Sequence, residues 1–136
     1  MAAPGPVLGI DPGTRKCGYA VIAALGSAPL ELGIVPTEGL EARLTALAGR
    51  HRLRAVALGG GTHAGAVQPL LERLGVPIEV IDERSTTLLA RRRYFEANPP
   101  GGWRRFVPRG MLLPPRPIDD FAALLIAERL LGGAVS

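Results

Sequence analysis

The stretch "VLGIDPGTRKCGYAVI", residues Val7 to Ile22, decides the fold. Val7 to Ile10 is an apolar run, β-branched at its ends, that suits a buried strand, and Cys17 to Ala23 is a second of the same kind. "DPGTRK" lies between them, and its Pro-Gly pair makes it a turn. The first strand therefore closes on an acid, Asp11, and the second opens behind two bases, Arg15 and Lys16. A carboxylate at the end of a buried strand needs a partner for its charge, which the rest of the chain has to supply. Leu30 to Pro36 provides a third strand, so the chain begins as an antiparallel meander.

Past the meander the period changes. Over Glu38 to His51, Leu40, Leu44, Leu47 and Ala48 recur at helical spacing while Glu41, Arg43 and Arg50 sit elsewhere, which predicts an amphipathic helix. "AVALGGGTH", Ala55 to His63, is a short apolar run closed by glycines, as expected of a buried strand entering a tight loop. A second helix is expected over Gln68 to Leu74, with Pro69 tolerated in its first turn. "VPIEVIDER" reads as the fifth strand. The hydroxyl of Ser85 or Thr86 can cap a third helix running to Asn98. Pro99 to Pro117, "PPGGWRRFVPRGMLLPPRP", holds too many breakers for a regular element and reads as a long basic loop. Ile118 to Leu131 is a last helix opened by Asp119 and Asp120. No internal repeat is present. Strands followed by alternating helix and strand predict an α/β fold, a five-stranded mixed sheet flanked by helices on both faces.

With 136 residues, 47% of them hydrophobic, the chain has enough apolar material for one core, so residues 1–136 are expected to form a single domain. Its 16 basic residues against 12 acidic ones give a net charge of +4, and every base except Lys16 is an arginine. Arginine presents a planar, permanently charged fork that matches phosphate, so this balance leans toward nucleic acid; codon usage and heat tolerance also enrich arginine. Cys17 is the only cysteine, which excludes an intrachain disulfide and a cysteine-rich zinc site and fits a reducing cytoplasm. The opening "MAAPGP" lacks a basic start followed by an apolar stretch, and no apolar run approaches the roughly 18 residues of a membrane span. A soluble, cytoplasmic protein with no membrane partner is expected.

The aspartates are Asp11, Asp82, Asp119 and Asp120 alone, and each falls at an element boundary. Asp11 ends the first strand, Asp82 and Glu83 end the fifth, and Asp119 with Asp120 opens the last helix. If the first strand is central, these carboxylates converge at one edge of the sheet. Packed carboxylates stay ionised only with a cation among them. Oxygen ligands without cysteine or paired histidine favour Mg²⁺ or Mn²⁺ over zinc. His51 and His63 are too isolated to form a metal pair and read as surface or loop residues. Each motif also has a plain structural reading. "DPGT" is a good turn, "DERST" a helix start favoured by the dipole, and "IDD" a cap.

Arg84, Arg91, Arg92, Arg93, Arg104, Arg105, Arg109 and Arg116 lie between the fifth strand and the last helix, interleaved with Tyr94, Trp103 and Phe106. Arginine beside aromatics offers phosphate contacts and a stacking surface for an unpaired base; the aromatics could equally pin the loop to the body. Lys16 or Arg15 could hold a phosphate or stabilise developing charge near Asp11.

Together these residues resemble the RuvC-like nucleases of the ribonuclease H-like superfamily, and within them the YqgF (RuvX) branch. "GIDPGTRKCGYAVI" is similar to the first hairpin of either branch, "IDERSTTLLARRR" to the YqgF signature, and "IDDFAALLIAERLL" to its last helix. The resemblance spans nearly the whole chain. It implies a ribonuclease H-like fold with strand order 3-2-1-4-5. It also implies Asp11, Glu83 and Asp119 as catalytic, metal-binding carboxylates, with Asp120 an adjacent metal candidate. Mg²⁺ or Mn²⁺ would serve a nuclease acting on branched DNA or on precursor ribosomal RNA, contacted by Arg15, Lys16, Arg84, Arg91, Arg92, Arg104, Arg105 and Arg109. RuvC relatives pair to cut two strands, so a homodimer is possible on this resemblance. The chain departs from RuvC where "LGGGT" replaces the glutamate at the end of the fourth strand, and its Pro-rich loop is longer than expected. A non-catalytic nucleic-acid-binding protein on the same fold is the main rival. A sugar-kinase or actin-like ATPase is disfavoured because it needs two such lobes.

Overall fold

The computed structural model describes residues 5–82, 86–102, 114 and 117–132. The hairpin at Val7 to Ile22 forms as read: β1 (Val7–Asp11) pairs antiparallel with β2 (Lys16–Ile22), which pairs antiparallel with β3 (Glu31–Pro36). Next come a short 3₁₀ turn (Thr37–Gly39), helix α1 (Leu40–Arg50), β4 (Ala55–Gly60), α2 (Ala64–Glu72), β5 (Ile78–Asp82), α3 (Thr86–Ala97) and α4 (Asp119–Gly132). β4 lies parallel to β1 and β5 parallel to β4, so the five-stranded sheet has the order 3-2-1-4-5 with β1 at its centre.

Alternation along the strands sends side chains to two cores. Leu8, Ile10, Tyr19, Val21, Val56 and Leu58 pack beneath Leu40, Leu44 and Leu47 of α1 and Val67 and Leu71 of α2. Val7, Ala20 and Ile22 face the opposite way, against Tyr94 and Phe95 of α3 and Phe121, Leu124 and Ala127 of α4. Each fully buried Leu, Ile or Phe stabilises by about 1.5–3 kcal/mol, so slipping β1 by one residue, which would exchange its two faces, is strongly opposed.

The second face is built around glycine. A Cβ at Gly9 would lie 2.2 Å from the Ala123 carbonyl oxygen, and one at Gly18 would lie 2.0 Å from the Asp119 carbonyl oxygen. The backbone of α4 therefore rests directly on β1 and β2, an approach that only a strand residue without a side chain permits. Ala123 and Ala127, one helical turn apart, supply the matching small face.

Two helix starts differ from the sequence reading. The residues before Leu40 form the 3₁₀ turn, so α1 starts later than Glu38. Helix α2 starts at Ala64, four residues before Gln68, because Val67 and Leu71 share one buried face and draw the preceding turn into the helix. Pro69 consequently sits beyond the first turn, opposite Gly65, and its ring is tolerated there at the cost of one backbone hydrogen bond. Ser85 and most of the Pro99 to Pro117 loop, including Trp103, Phe106 and Arg116, lie outside the described residues.

Candidate active site at the carboxyl edge of the sheet

Asp11 is the last residue of β1 and shares its parity with Val7 and Gly9, so it belongs to the face covered by α4. Its cross-strand partner is Gly18. Because the first residue of α4, Asp119, rests its carbonyl on Gly18, Asp11 and Asp119 are brought to the same corner of the sheet. Lys16, two residues before Gly18 on β2, points to this face as well, and its Nζ lies 3.5 Å from Asp119 Oδ2.

Among the described residues the Asp119 carboxylate is only partly satisfied. Asp119 Oδ2 is the buried side-chain oxygen that finds no hydrogen-bond partner among the described residues, although the side chain as a whole is 31% exposed. Lys16 is attracted to it at 3.5 Å without a hydrogen bond, and the lysine itself is half exposed. The positive end of α4 adds modest stabilisation to an acid in the first turn. A buried carboxylate oxygen left in this state favours a cation, and an all-oxygen donor set favours a hard divalent one. Asp120, by contrast, is buried, and its Oδ1 accepts a hydrogen bond from the Phe121 N–H at 2.9 Å, which fastens the start of α4.

The other end of the proposed carboxylate row is at β5. Gly59 and Gly60 are the last residues of β4 and pair with Ile81 and Asp82. Gly59 has the parity of Ala57, so no side chain stands on the α4 face of β4 between Asp11 and the end of β5, about 10 Å away by strand spacing. Asp82 has the parity of Ile78, which packs in the α1/α2 core, so alternation turns it away from Asp11; its carbonyl accepts a hydrogen bond from Arg129. Glu83, the next residue, lies outside the described residues, as do Arg84, Arg104, Arg105 and Arg109. Among the described residues no three Asp, Glu, His or Cys side chains form a metal-binding group; of the carboxylates singled out in the sequence for this edge, Asp11, Asp82, Asp119 and Asp120 are described and Glu83 is not.

The arginines divide into two kinds. Arg92 is exposed and Arg91 half buried on α3. Arg93 instead bonds Glu128 of α4 at 2.6 Å and approaches Glu96 at 3.6 Å, so it ties the two helices together. Tyr94 is also structural: it is buried, with its ring edge-on to Phe95 at 5.1 Å and to Phe121 at 5.6 Å. The sequence reading had grouped it with aromatics open to a base, and the structure corrects this.

The turn that carries Arg15 is braced from both sides. Thr37 donates its hydroxyl to the Gly13 carbonyl at 2.9 Å, and its N–H bonds the Arg15 carbonyl at 3.0 Å. On the other side the Thr14 hydroxyl meets His63 Nε2 at 2.8 Å. His63 is indeed a loop residue, but it has a defined role in holding the turn. Nothing in the sequence links Thr14 to a histidine 49 positions away.

Comparison with known proteins places this geometry. The family model "Crossover junction endodeoxyribonuclease RuvC" matches residues 7–56, from β1 into β4. A protein of Xylella fastidiosa named "Putative pre-16S rRNA nuclease" is 32% identical over 143 aligned positions, spanning 93% of this chain and 87% of the relative. The chain belongs to the pre-16S rRNA nuclease family. A member from Myxococcus xanthus is also 32% identical, over 89% of this chain and 83% of its own length. Among solved structures, Thermus thermophilus RuvC in complex with a Holliday junction substrate superposes with a TM-score of 0.63 at 24% identity, covering 94% of this chain and 96% of RuvC. The pre-16S rRNA nuclease fold seen here is thus the ribonuclease H-like fold of RuvC. Among the described residues no helix is long and apolar enough to cross a membrane.

Proposed function

We propose that this chain is a divalent-cation-dependent nuclease that hydrolyses phosphodiester bonds in nucleic acid, with Asp11, Asp119 and Glu83 as its catalytic carboxylates. The observation that carries the proposal is the buried Oδ2 of Asp119, which has no hydrogen-bond partner among the described residues and is held beside the end of β1. Asp11, Asp119 and Glu83, with Asp120 adjacent, would hold Mg²⁺ or Mn²⁺. Bound there, a divalent ion lowers the pKa of a water and neutralises charge on phosphate oxygens. Lys16 does two things in this account. It balances Asp119 when the site is empty, and its flexible, half-exposed arm can turn to a phosphate oxygen when substrate arrives. Arg15, Arg84, Arg91, Arg92, Arg104, Arg105 and Arg109 would grip the backbone on either side.

RNA of the precursor ribosomal type is the substrate we infer first, because relatives at 32% identity over most of the chain carry that name. Branched DNA is the second reading, suggested by the Holliday junction bound to the RuvC neighbour. Residues 1–136 would work as one domain in the cytoplasm, with a homodimer required only if two strands are cut together.

The test is a cleavage panel of labelled single-stranded RNA, single-stranded DNA and a four-way junction, each with Mg²⁺, Mn²⁺ or chelator. Metal-stimulated cleavage that Asp11→Asn abolishes while binding persists is the expected result. Binding without turnover on every substrate would convert the protein to the non-catalytic rival.

A further inference from the structure

An open cleft of about 550 Å³ lies beside the β1–β2 turn, lined by Thr14, Arg15, Thr37 and Glu38. Its volume falls in the range of small-molecule sites and admits a nucleotide. The cleft occupies the same sheet edge as Asp11, since Lys16 pairs with Pro36 at the end of β3 while Gly18 pairs with Asp11. The end of β3 and the end of β1 are two strand spacings apart, about 10 Å. A nucleic-acid strand drawn along this edge would pass over the cleft within one or two nucleotides of Asp11.

The walls are fixed before any ligand arrives. Thr37 binds the turn through its hydroxyl to Gly13 and its amide to Arg15, and His63 holds Thr14. These bonds fix the backbone of the turn that presents Arg15, not the Arg15 or Glu38 side chain. The two charged side chains, Arg15 and Glu38, are both exposed, yet neither forms an ion pair or a side-chain hydrogen bond among the described residues. Opposite charges that line one cleft without meeting leave a cation and a carboxylate available to one ligand.

We propose that this cleft is a subsite for an unpaired guanine nucleotide flanking the cleaved bond; its place on the strand rests on the nuclease reading above. Arg15 would take a phosphate with its planar fork. Glu38 offers two acceptor oxygens side by side, which match the adjacent N1–H and N2–H donors of guanine. Adenine and cytosine each place an acceptor next to their donor, and uracil flanks its single donor with two acceptors. That guanine edge is free only when the base is unpaired, so the ligand is a single-stranded or looped-out segment. Hydrogen bonds, not stacking, do the reading, because none of the described lining side chains is aromatic.

Fluorescence anisotropy in the presence of chelator tests this without any cleavage. The probes are a short labelled oligoadenylate and the same oligomer with one adenine replaced by guanine, each as RNA and as DNA. In the wild-type protein guanine should tighten binding about tenfold in both backbones. Glu38→Gln should erase that preference, and Arg15→Ala should weaken both probes alike. Equal affinity for the two probes, a preference that survives Glu38→Gln, or a preference for ribose regardless of base would each overturn the proposal. These outcomes are independent of the cleavage panel: a nuclease without guanine preference loses only the subsite, and guanine preference without cleavage loses only the nuclease.

Discussion

Replacing Gly18 by alanine tests whether the seat of α4 sets the catalytic corner. The added Cβ would stand 2.0 Å from the Asp119 carbonyl oxygen and 2.2 Å from its carbon, both backbone atoms that cannot rotate away. Ordinary contact begins near 3.4 Å, so the start of α4 must retreat by about 1.4 Å from 2.0 Å. Overpacking of this sort costs about 1–3 kcal/mol. For a domain of this size that is a fall of about 3–12 °C in Tm. The same retreat carries Asp119 away from Asp11, and a misplacement of about 1 Å at a reacting centre can cost about 100-fold in rate. Initial cleavage rates with Mn²⁺, measured well below the variant's melting temperature, separate the two effects. A Gly18→Ala protein that melts and cleaves like the wild type would refute the claim that this contact positions Asp119.

Four further substitutions have defined expected outcomes. Arg50, bonded to Glu31 at 2.7 and 2.9 Å, together with His51, holds the Glu31 carboxyl down at about 2 against burial. A depressed carboxyl stabilises fully above its unfolded value of 4.5 and loses that contribution as pH falls through about 2, so acid melting curves of Glu31→Gln should be flatter across this window. Arg93→Met should lower stability by about 1–3 kcal/mol through loss of the Glu128 bond. Arg92→Ala should leave stability within about 0.5 kcal/mol, weaken RNA binding and reduce its salt slope by about 1. Gly49→Ala, on the exposed side of α1 with open space around it, should raise stability by about 0.5–1 kcal/mol in chemical denaturation.

The central hairpin was legible because β-branched runs around a Pro-Gly turn allow few alternatives, and the placement of Asp11 and Asp119 at element boundaries pointed to one edge of the sheet. The strand order came from the family resemblance, since nothing in the composition distinguishes β4 beside β1 from β4 beside β3. Gly9 and Gly18 carried a signal that went unused: a glycine inside an apolar strand marks a close backbone approach, and both lie under α4. Tyr94 was misjudged because a tyrosine among arginines looks open to a base in sequence, while its helix turns it into the core. The bracing of Thr14 by His63 and the parity that separates Asp82 from Asp11 depend on the folded path of the chain. No local pattern encodes them.

The central claim is that the corner formed by Asp11 and Asp119 is a cation site, and a thermal titration of the full chain with Mn²⁺ tests it without substrate. Cation binding at about 100 times its Kd should add about 2.7 kcal/mol to the wild-type protein. Asp119→Asn should shift the metal-free Tm little, since it relieves a buried oxygen with no hydrogen-bond partner among the described residues at the cost of the half-exposed Lys16 pair, and should lose the Mn²⁺-dependent rise. An equal rise in wild type and Asp119→Asn, or none in either, would contradict the account.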